Sequence, residues 1–305
     1  MMTSVIIPTF RRPAGLRAAI TSLLGQSCPP DQLVVVDNDP DASARPIIDN
    51  MQAVARFDVT YVHEAEPGVA NARNAGMRAA TGRYIAFLDD DEIACPHWLE
   101  SLLYTARALG RTVVFGPLRG ETNEENHLRR SLAQRLYSRI GAEDDEALTK
   151  PFGCGNSLID RDAFSLSDEP FKPALNETGG EDDAFFAALE DQGATFAWSA
   201  RAHAIECVAP DRTSWKRLLA RSFAFGQSAT QNAVMHDRRD WVRTLMWMGI
   251  GVGQLAVYLP LALGASLFRL SVAASLVDRS AQAAGKIVWF GPFEPKFYGA
   301  AALTD

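Results

Sequence analysis

No C-x-x-C pair occurs in this sequence, and its four cysteines, Cys28, Cys95, Cys154 and Cys207, stand far apart. That spacing indicates neither a zinc knuckle nor a disulfide framework, and it fits a reducing, cytoplasmic setting. P-loop, H-E-x-x-H and serine-elbow motifs are also missing, which removes the corresponding phosphate-cradle, zinc-protease and hydrolase readings. "GVGQLA" (Gly251 to Ala256) has only the outline of a dinucleotide fingerprint, because it lies in an apolar run with no strand before it. The opening "MMTSVIIPTFRRP" has too short an apolar stretch for a signal peptide and reads as a strand, so the catalytic part is expected to stay in the cytosol. Excess positive charge is lacking as well: a net charge of -7 over 305 residues argues against a general nucleic-acid binder.

The first half alternates short β-branched runs with helical patterns, the signature of βαβ units around a mostly parallel sheet. "SVIIP" (Ser4 to Pro8), "LVVVD" (Leu33 to Asp37), "VTYVH" (Val59 to His63) and "YIAFLD" (Tyr84 to Asp89) read as strands, with helices near 15–24, 42–55, 69–80 and 96–108. In such sheets ligands sit beyond the carboxyl ends of the strands. Thr9, Asp37 and Asp89 to Asp91 all fall at those ends. Farther on, Leu128, Leu132, Leu136 and Ile140 recur every four residues and predict one apolar helix stripe.

"FLDDDE" (Phe87 to Glu92) sets three aspartates directly behind an apolar strand. Like charges this close raise one another's pKa unless a cation or donor cluster neutralises them. Hard divalent cations take carboxylate oxygens and leave positions open for phosphate oxygens. If the chain is still extended, Asp89 and Asp91 point one way and Asp90 is turned aside. An EF-hand is excluded, since Ile93 and Ala94 stand where that loop needs glycine and a further acid.

Taken together, "SVIIPTFRRP", "VVVDN", "GVANARNAGMRAATGRYIAFLDDDE" and "GGEDDAF" resemble, in order and spacing, family 2 glycosyltransferases of the GT-A fold. The resemblance covers roughly residues 3–226. "FGCGNSLIDRDAF" and "NETGGEDD" are further similar to bacterial enzymes of succinoglycan-type exopolysaccharide assembly. It implies an α/β, Rossmann-like fold and transfer of a sugar from a nucleoside diphosphate donor, expected to be a UDP-hexose, with inversion at the anomeric carbon. The implied acceptor is a polyprenyl-diphosphate-linked glycan.

By the same resemblance Asp89 and Asp91 hold Mn²⁺ or Mg²⁺, Asp182 is the catalytic base and Glu181 binds the acceptor. Pro8, Thr9, Asp37, Arg73, Asp90 and Arg212 bind the nucleotide sugar. Many relatives carry a metal-binding histidine where Glu206 and Cys207 stand here, so Glu206 is the candidate third ligand. Bland alternatives accompany several of these. Asp37 could cap the next turn, Arg73 could pair structurally with an acid of the triplet, and acids are common in a first helical turn.

Thr244 to Phe268 is a run of 25 residues without a formal charge, long enough to cross a bilayer. Gln254, several glycines and Pro260 weigh against a simple span and leave an interfacial or bent helix open. Arg212, Trp215, Lys216, Arg217 and Arg221 form a basic, aromatic stretch suited to an anionic headgroup or acceptor phosphate. The expectation is a GT-A domain over 1–226 and a membrane-associated helical region over 227–305, working at the cytoplasmic face of the inner membrane. Two rivals remain. One is a sugar-nucleotide-forming nucleotidyltransferase, for which "PTFRRPAGL" has too little glycine. The other is a silent membrane-anchored scaffold, against which the intact Asp89, Asp91 and Asp182 argue.

Overall fold

A computed structural model describes residues 2–176, 179–235, 240–293 and 295. In chain order the elements are β1 (Thr3–Thr9), α1 (Pro13–Leu24), β2 (Gln32–Asp37), α2 (Arg45–Gln52), β3 (Asp58–His63), α3 (Val69–Ala79), β4 (Tyr84–Phe87), β5 (Glu92–Ala94) and α4 (Trp98–Ala108). There follow β6 (Val113–Phe115), β7 (Leu118–Glu121), α5 (His127–Leu136), β8 (Glu146–Leu148), β9 (Ser157–Asp160), α6 (Glu181–Glu190), β10 (Phe196–Trp198), β11 (Ala204–Cys207), α7 (Trp215–Met235), α8 (Trp241–Leu267) and α9 (Ala273–Ile287).

The chain divides into two compact units, one built on Met1–Arg119 and Arg139–Cys207, the other on Gly120–Ser138 and Val208–Pro295. The expected break at 226 differs from this division. Both α5 and the start of α7 join the helical unit, because Leu132, Ala133 and Leu136 of α5 bury against Leu218 of α7 and Ala274 of α9.

In the first unit, eight strands among the described residues form one sheet in the order β3-β2-β1-β4-β9-β6-β10-β8. Pairings within β3-β2-β1-β4 are parallel, as is β6 with β10, while β9 runs antiparallel to both its neighbours. The central strands carry Val5, Ile6, Ile7, Leu33, Val34, Val35 and Val36, all with no solvent exposure, which is why they read as continuous apolar runs rather than alternating ones. One face packs on α1, α2 and α4 through Leu16, Ile20, Leu23, Ile48 and Trp98, and the other on α3 and α6 through Ala72, Met77, Phe185 and Phe186. Full burial of each such side chain contributes about 1.5 to 3 kcal/mol.

In the helical unit, the small residues of α7, α8 and α9 let backbones meet. Gly226 of α7 abuts the backbone of Gln282, Gly285 of α9 abuts that of Phe223, and Gly251 of α8 faces the Ala283 carbonyl. The buried positions of α8 are Thr244, Gly251, Ala262 and Ala265, whereas Leu245, Leu259, Leu261, Leu263 and Leu267 are exposed. Gln254, the polar residue inside the apolar run, accepts from Lys286 Nζ at 2.9 Å. Of the described helices, α8 alone is long and apolar enough to cross a membrane.

Candidate active site

The carboxyl ends of β1 and β4 gather the first candidate side chains. Pro8 lies past the last β1–β4 pairing, at Ile6 and Phe87, so β4 has no further ladder bond there for its missing N–H to break. Thr9 closes β1, and its hydroxyl donates to Asp90 Oδ2 at 2.8 Å. Arg12 carries Nη1 3.0 Å from Asp90 Oδ1 and 2.7 Å from Asp91 Oδ2. Asp90 is therefore buried; β4 ends at Phe87 and Asp90 and Asp91 lie in the turn that follows, so the alternation expected of an extended chain does not hold there. Asp91 does not swing clear of Asp90, because one guanidinium spans both carboxylates.

Asp89 has a different partner, with Oδ1 3.6 Å from Arg73 Nη2. From α3, Arg73 also donates through Nη1 to Glu181 Oε1 at 2.6 Å. Its Nε is buried with no hydrogen-bond partner among the described residues. Arg73 thus pairs with the triplet and leaves one buried N–H unsatisfied. Neighbouring Asn74 exchanges two hydrogen bonds with the backbone of Phe171, at 2.8 and 2.9 Å.

Gly180, at φ +86°, makes the left-handed entry to α6 that a side chain would resist. Phe185 stacks on Phe171 with centroids 4.2 Å apart, and Phe186 meets Phe115 edge-on at 5.0 Å, so the first turn of α6 is anchored by core aromatics. That turn presents Glu181, buried against Arg73, and Asp182, half-buried. Asp182 Oδ2 accepts from the Cys154 N–H at 3.3 Å. Acids at the positive end of a helix are stabilised there, which is the bland account of both residues.

The segment that holds Asp182 is organised by a residue absent from the expected set. The apolar stripe expected to reach Ile140 stops short, since α5 ends at Leu136 and Ile140 is exposed, and Arg139 lies beyond the helix. Arg139 turns inward instead. Its Nε donates to the Gly116 carbonyl at 2.9 Å, Nη1 to Gly153 at 3.0 Å, and Nη2 to Gly155 at 2.7 Å and Asn156 at 2.8 Å. Burial pulls its pKa down to about 10, with Glu92, Glu206 and Asp89 acting the other way, so the group keeps its charge at neutral pH.

Asn156 completes the clamp: Nδ2 donates to the Pro117 and Ala202 carbonyls at 2.8 Å each, and Oδ1 accepts from Trp98 Nε1 at 2.7 Å. Asn156→Ala strands three buried polar groups, each costing about 1 to 3 kcal/mol. The expected loss is about 3 kcal/mol or more of unfolding free energy, read by urea denaturation; a change below 1 kcal/mol would discount the clamp.

Gly155 is the point of closest approach to the acids. A Cβ there would stand 2.5 Å from Glu92 Oε1 and 3.0 Å from Asp89 Oδ2. Glu92, fully buried on β5, accepts from the Asp89 N–H at 3.1 Å. The β5–β11 register sets Glu206 directly across from Glu92, and the Cys207 N–H donates to the Asp91 carbonyl at 2.7 Å. Like charges opposite one another on paired strands destabilise a sheet. Burial, then the neighbouring Asp89, pushes Glu92 well above the usual carboxylate range. Asp89 is also raised by burial, against the pull of Arg73, and burial lifts Asp90 to about 6. Carboxyls raised in the folded state add stability at low pH and lose it as pH climbs through their folded values. At neutral pH the cluster thus opposes folding until positive charge meets it.

Among the described residues no three His, Cys, Asp or Glu side chains form a ready-made metal cage. The donor types nonetheless match those a hard divalent cation takes, although Asp91 is already paired with Arg12. Asp89, Asp91 and Glu206 are all oxygen donors around one sheet edge, and Arg73 Nε is an orphaned donor beside them.

Asp37 makes the contacts that its capping alternative calls for. Wholly buried, it accepts from the Ala44 N–H at 2.7 Å, the Tyr61 hydroxyl at 3.1 Å and the Asp39 N–H at 3.2 Å, so both oxygens are engaged. Burial, reinforced by Asp37, raises Tyr61 to about 12. Arg212 belongs to the helical unit, where its guanidinium lies 6.0 Å from the Tyr137 ring centroid. Arg12, Glu92 and Arg139 are the site-shaping residues that sequence reasoning missed. Arg12 and Glu92 lie inside the quoted "SVIIPTFRRP" and "GVANARNAGMRAATGRYIAFLDDDE", and the F-G-C-G-N stretch carries carbonyls that Arg139 holds.

Several known proteins are similar to this chain. The pattern of Glycosyl transferase family 2 matches residues 4–166. The succinoglycan biosynthesis protein ExoM of Rhizobium meliloti is 34% identical over 223 residues, 72% of this chain and 71% of that protein. The pre-mycofactocin glycosyltransferase of Mycobacterium tuberculosis is 30% identical over 83% of this chain, which spans 54% of that longer protein. Among solved structures, S. aureus TarS 1-349 in complex with UDP superposes with a TM-score of 0.55 at 15% identity, covering 94% of this chain and 90% of that one. That likeness establishes the GT-A fold. With the family pattern over more than half the chain and ExoM over most of it, the protein belongs to glycosyl transferase family 2.

Proposed function

We propose that this glycosyltransferase is an inverting, divalent-metal-dependent enzyme. It moves a sugar, expected to be a hexose, from a UDP-linked donor to a lipid-held glycan in bacterial exopolysaccharide assembly. The observation that carries the reading is the convergence of Asp89, Arg73, Glu181 and Asp182, joined by the Arg73 pairings at 3.6 and 2.6 Å, at the carboxyl end of a parallel sheet. ExoM's role in succinoglycan biosynthesis and the UDP-GlcNAc complex of S. aureus TarS support the choice of acceptor and donor class.

In this reading Asp182 takes the proton from the acceptor hydroxyl as its oxygen bonds to the anomeric carbon, and the bond from that carbon to the diphosphate breaks on the opposite face. Glu181 and Arg73 hold each other in place, and the free Arg73 N–H faces the charge that builds on the leaving diphosphate. Asp89, Asp91 and Glu206 would hold Mn²⁺ or Mg²⁺, which supplies charge compensation to the leaving group when bound. Thr9 and Arg12 fix Asp90 and Asp91, and Asp37 shapes the turn after β2 that would border the nucleotide.

The inverted patterning of α8, small residues inward and leucines outward, supports an acceptor met at a membrane, since lipid-facing helices pack through small residues. The working place would be the cytoplasmic face.

The donor is tested by thermal shift with a set of nucleotide sugars and Mn²⁺; a UDP-sugar should raise the melting temperature, and silence from every nucleoside diphosphate sugar would sink the reading. Asp91→Ala should weaken Mn²⁺-dependent UDP binding about tenfold or more. Equal binding with and without metal in both proteins would overturn the metal assignment.

A further inference from the structure

Within the helical unit lies a cavity of about 650 Å³ formed by the start of α5, Trp215 at the head of α7, and the α8–α9 turn. Two segments singled out in the sequence meet here: the "HLRRS" stretch supplies His127 and Ser131, and the basic, aromatic stretch supplies Trp215. The turn adds Ser266, Arg269 and Ser271. Several basic groups of the unit are already engaged. Arg129 pairs with Glu124 at 2.8 Å, Arg135 with Asp278 at 2.7 Å, and Arg217 with Asp211 at 3.2 Å. Among the described residues the side chains of Arg269 and His127 have no such partner. Arg269 is also held at φ +53°, a left-handed backbone that is unusual for arginine.

The surroundings say which anion suits this wall. Leu267, Phe268, Leu270 and Val272 flank Arg269 and are all more than half exposed. A free phosphate would gain nothing from them, but an anion attached to hydrocarbon would cover them. The unit is basic in an acidic protein, since residues 120–138 and 208–295 together hold thirteen Lys and Arg against eight Asp and Glu, which favours an anionic membrane surface.

We propose that the cavity at the α8–α9 turn binds the phosphate group of an anionic membrane lipid, whose hydrocarbon lies against the exposed apolar residues that end α8. This rests on the reading above of a membrane-held acceptor and gives it a defined point of lipid contact. Arg269 supplies the fixed charge, the serine hydroxyls and His127 supply hydrogen bonds, and Trp215 suits the depth of a headgroup. Glu125 is the acid on the cavity wall and opposes the phosphate.

The test is co-sedimentation of the full chain with vesicles of phosphatidylcholine, alone or doped with phosphatidylglycerol. The wild type should favour the doped vesicles. Arg269→Asn, which tolerates the left-handed backbone, should lower that retention about fivefold, whereas Glu125→Gln should raise it. Opposite shifts in two variants cannot both come from misfolding. If the wild type favours doped vesicles and both variants match it, the cavity assignment is overturned while membrane binding stands. If the wild type ignores both vesicles, the assignment falls; undiminished transfer to a water-soluble acceptor would then also remove the membrane-held acceptor without touching the catalytic reading. Displacement from doped vesicles by inorganic phosphate at matched concentration would mark a small-anion site and overturn the commitment to a lipid.

Discussion

Asp182→Asn should abolish sugar transfer, with a loss of about 10² to 10⁴ in kcat, while UDP binding survives. The substitution is chosen for its geometry. An asparagine carbonyl oxygen can still accept from the Cys154 N–H now 3.3 Å from Oδ2, so the loop at 153–156 keeps its support. What disappears is the carboxylate that can take a proton from the acceptor. Steady-state rates with saturating donor, beside UDP affinity by calorimetry, separate these effects. Turnover within a factor of about three of wild type would remove Asp182 from the role of base.

Arg139→Met should cost about 3 to 5 kcal/mol of stability, because it strands the Gly116, Gly153 and Gly155 carbonyls now served by one buried guanidinium, leaving the Asn156 carbonyl only the Gly116 N–H. It should also slow transfer by at least tenfold in whatever fraction folds, since Gly153 and Cys154 lie against Asp182 while Gly155 lies against Asp89 and Glu92. Arg139→Lys separates charge from shape. An ammonium keeps the positive charge near Glu92 and Glu206 but cannot span the Gly116 and Asn156 carbonyls together. It should therefore recover part of the stability and little of the turnover, and full recovery of both would show that charge alone matters. Denaturation midpoints and kcat at fixed Mn²⁺ give the two readouts.

The distance between sequence and structure follows from how local each signal is. Strands β1 to β4 were readable within about two residues, because a parallel sheet covered on both faces needs unbroken β-branched runs. The acids and Arg73 were readable because their motif sits at strand and helix ends that such a sheet brings together. Arg139 was not: four-residue periodicity ran on to Ile140, and nothing nearby announces that the chain leaves the helix at Tyr137 to reach carbonyls 14 to 23 residues away. For Asp37 both readings were open, and Tyr61, on the next strand, adds a contact that no local signal announces. The membership of α5 depends on Leu218 and Ala274, far along the chain.

The outward leucines of α8 also govern how the protein can be handled. In plain buffer that surface has no cover of its own, so copies should adhere to one another and the chain should be recovered as aggregates. A mild detergent or lipid nanodisc takes the place of that missing cover. For crystallisation without either, the rational edit is to exchange Leu245, Leu259 and Leu263 for glutamate or lysine while leaving Gly251, Ala262 and Ala265 untouched, since the latter set the inter-helix packing and the former do not.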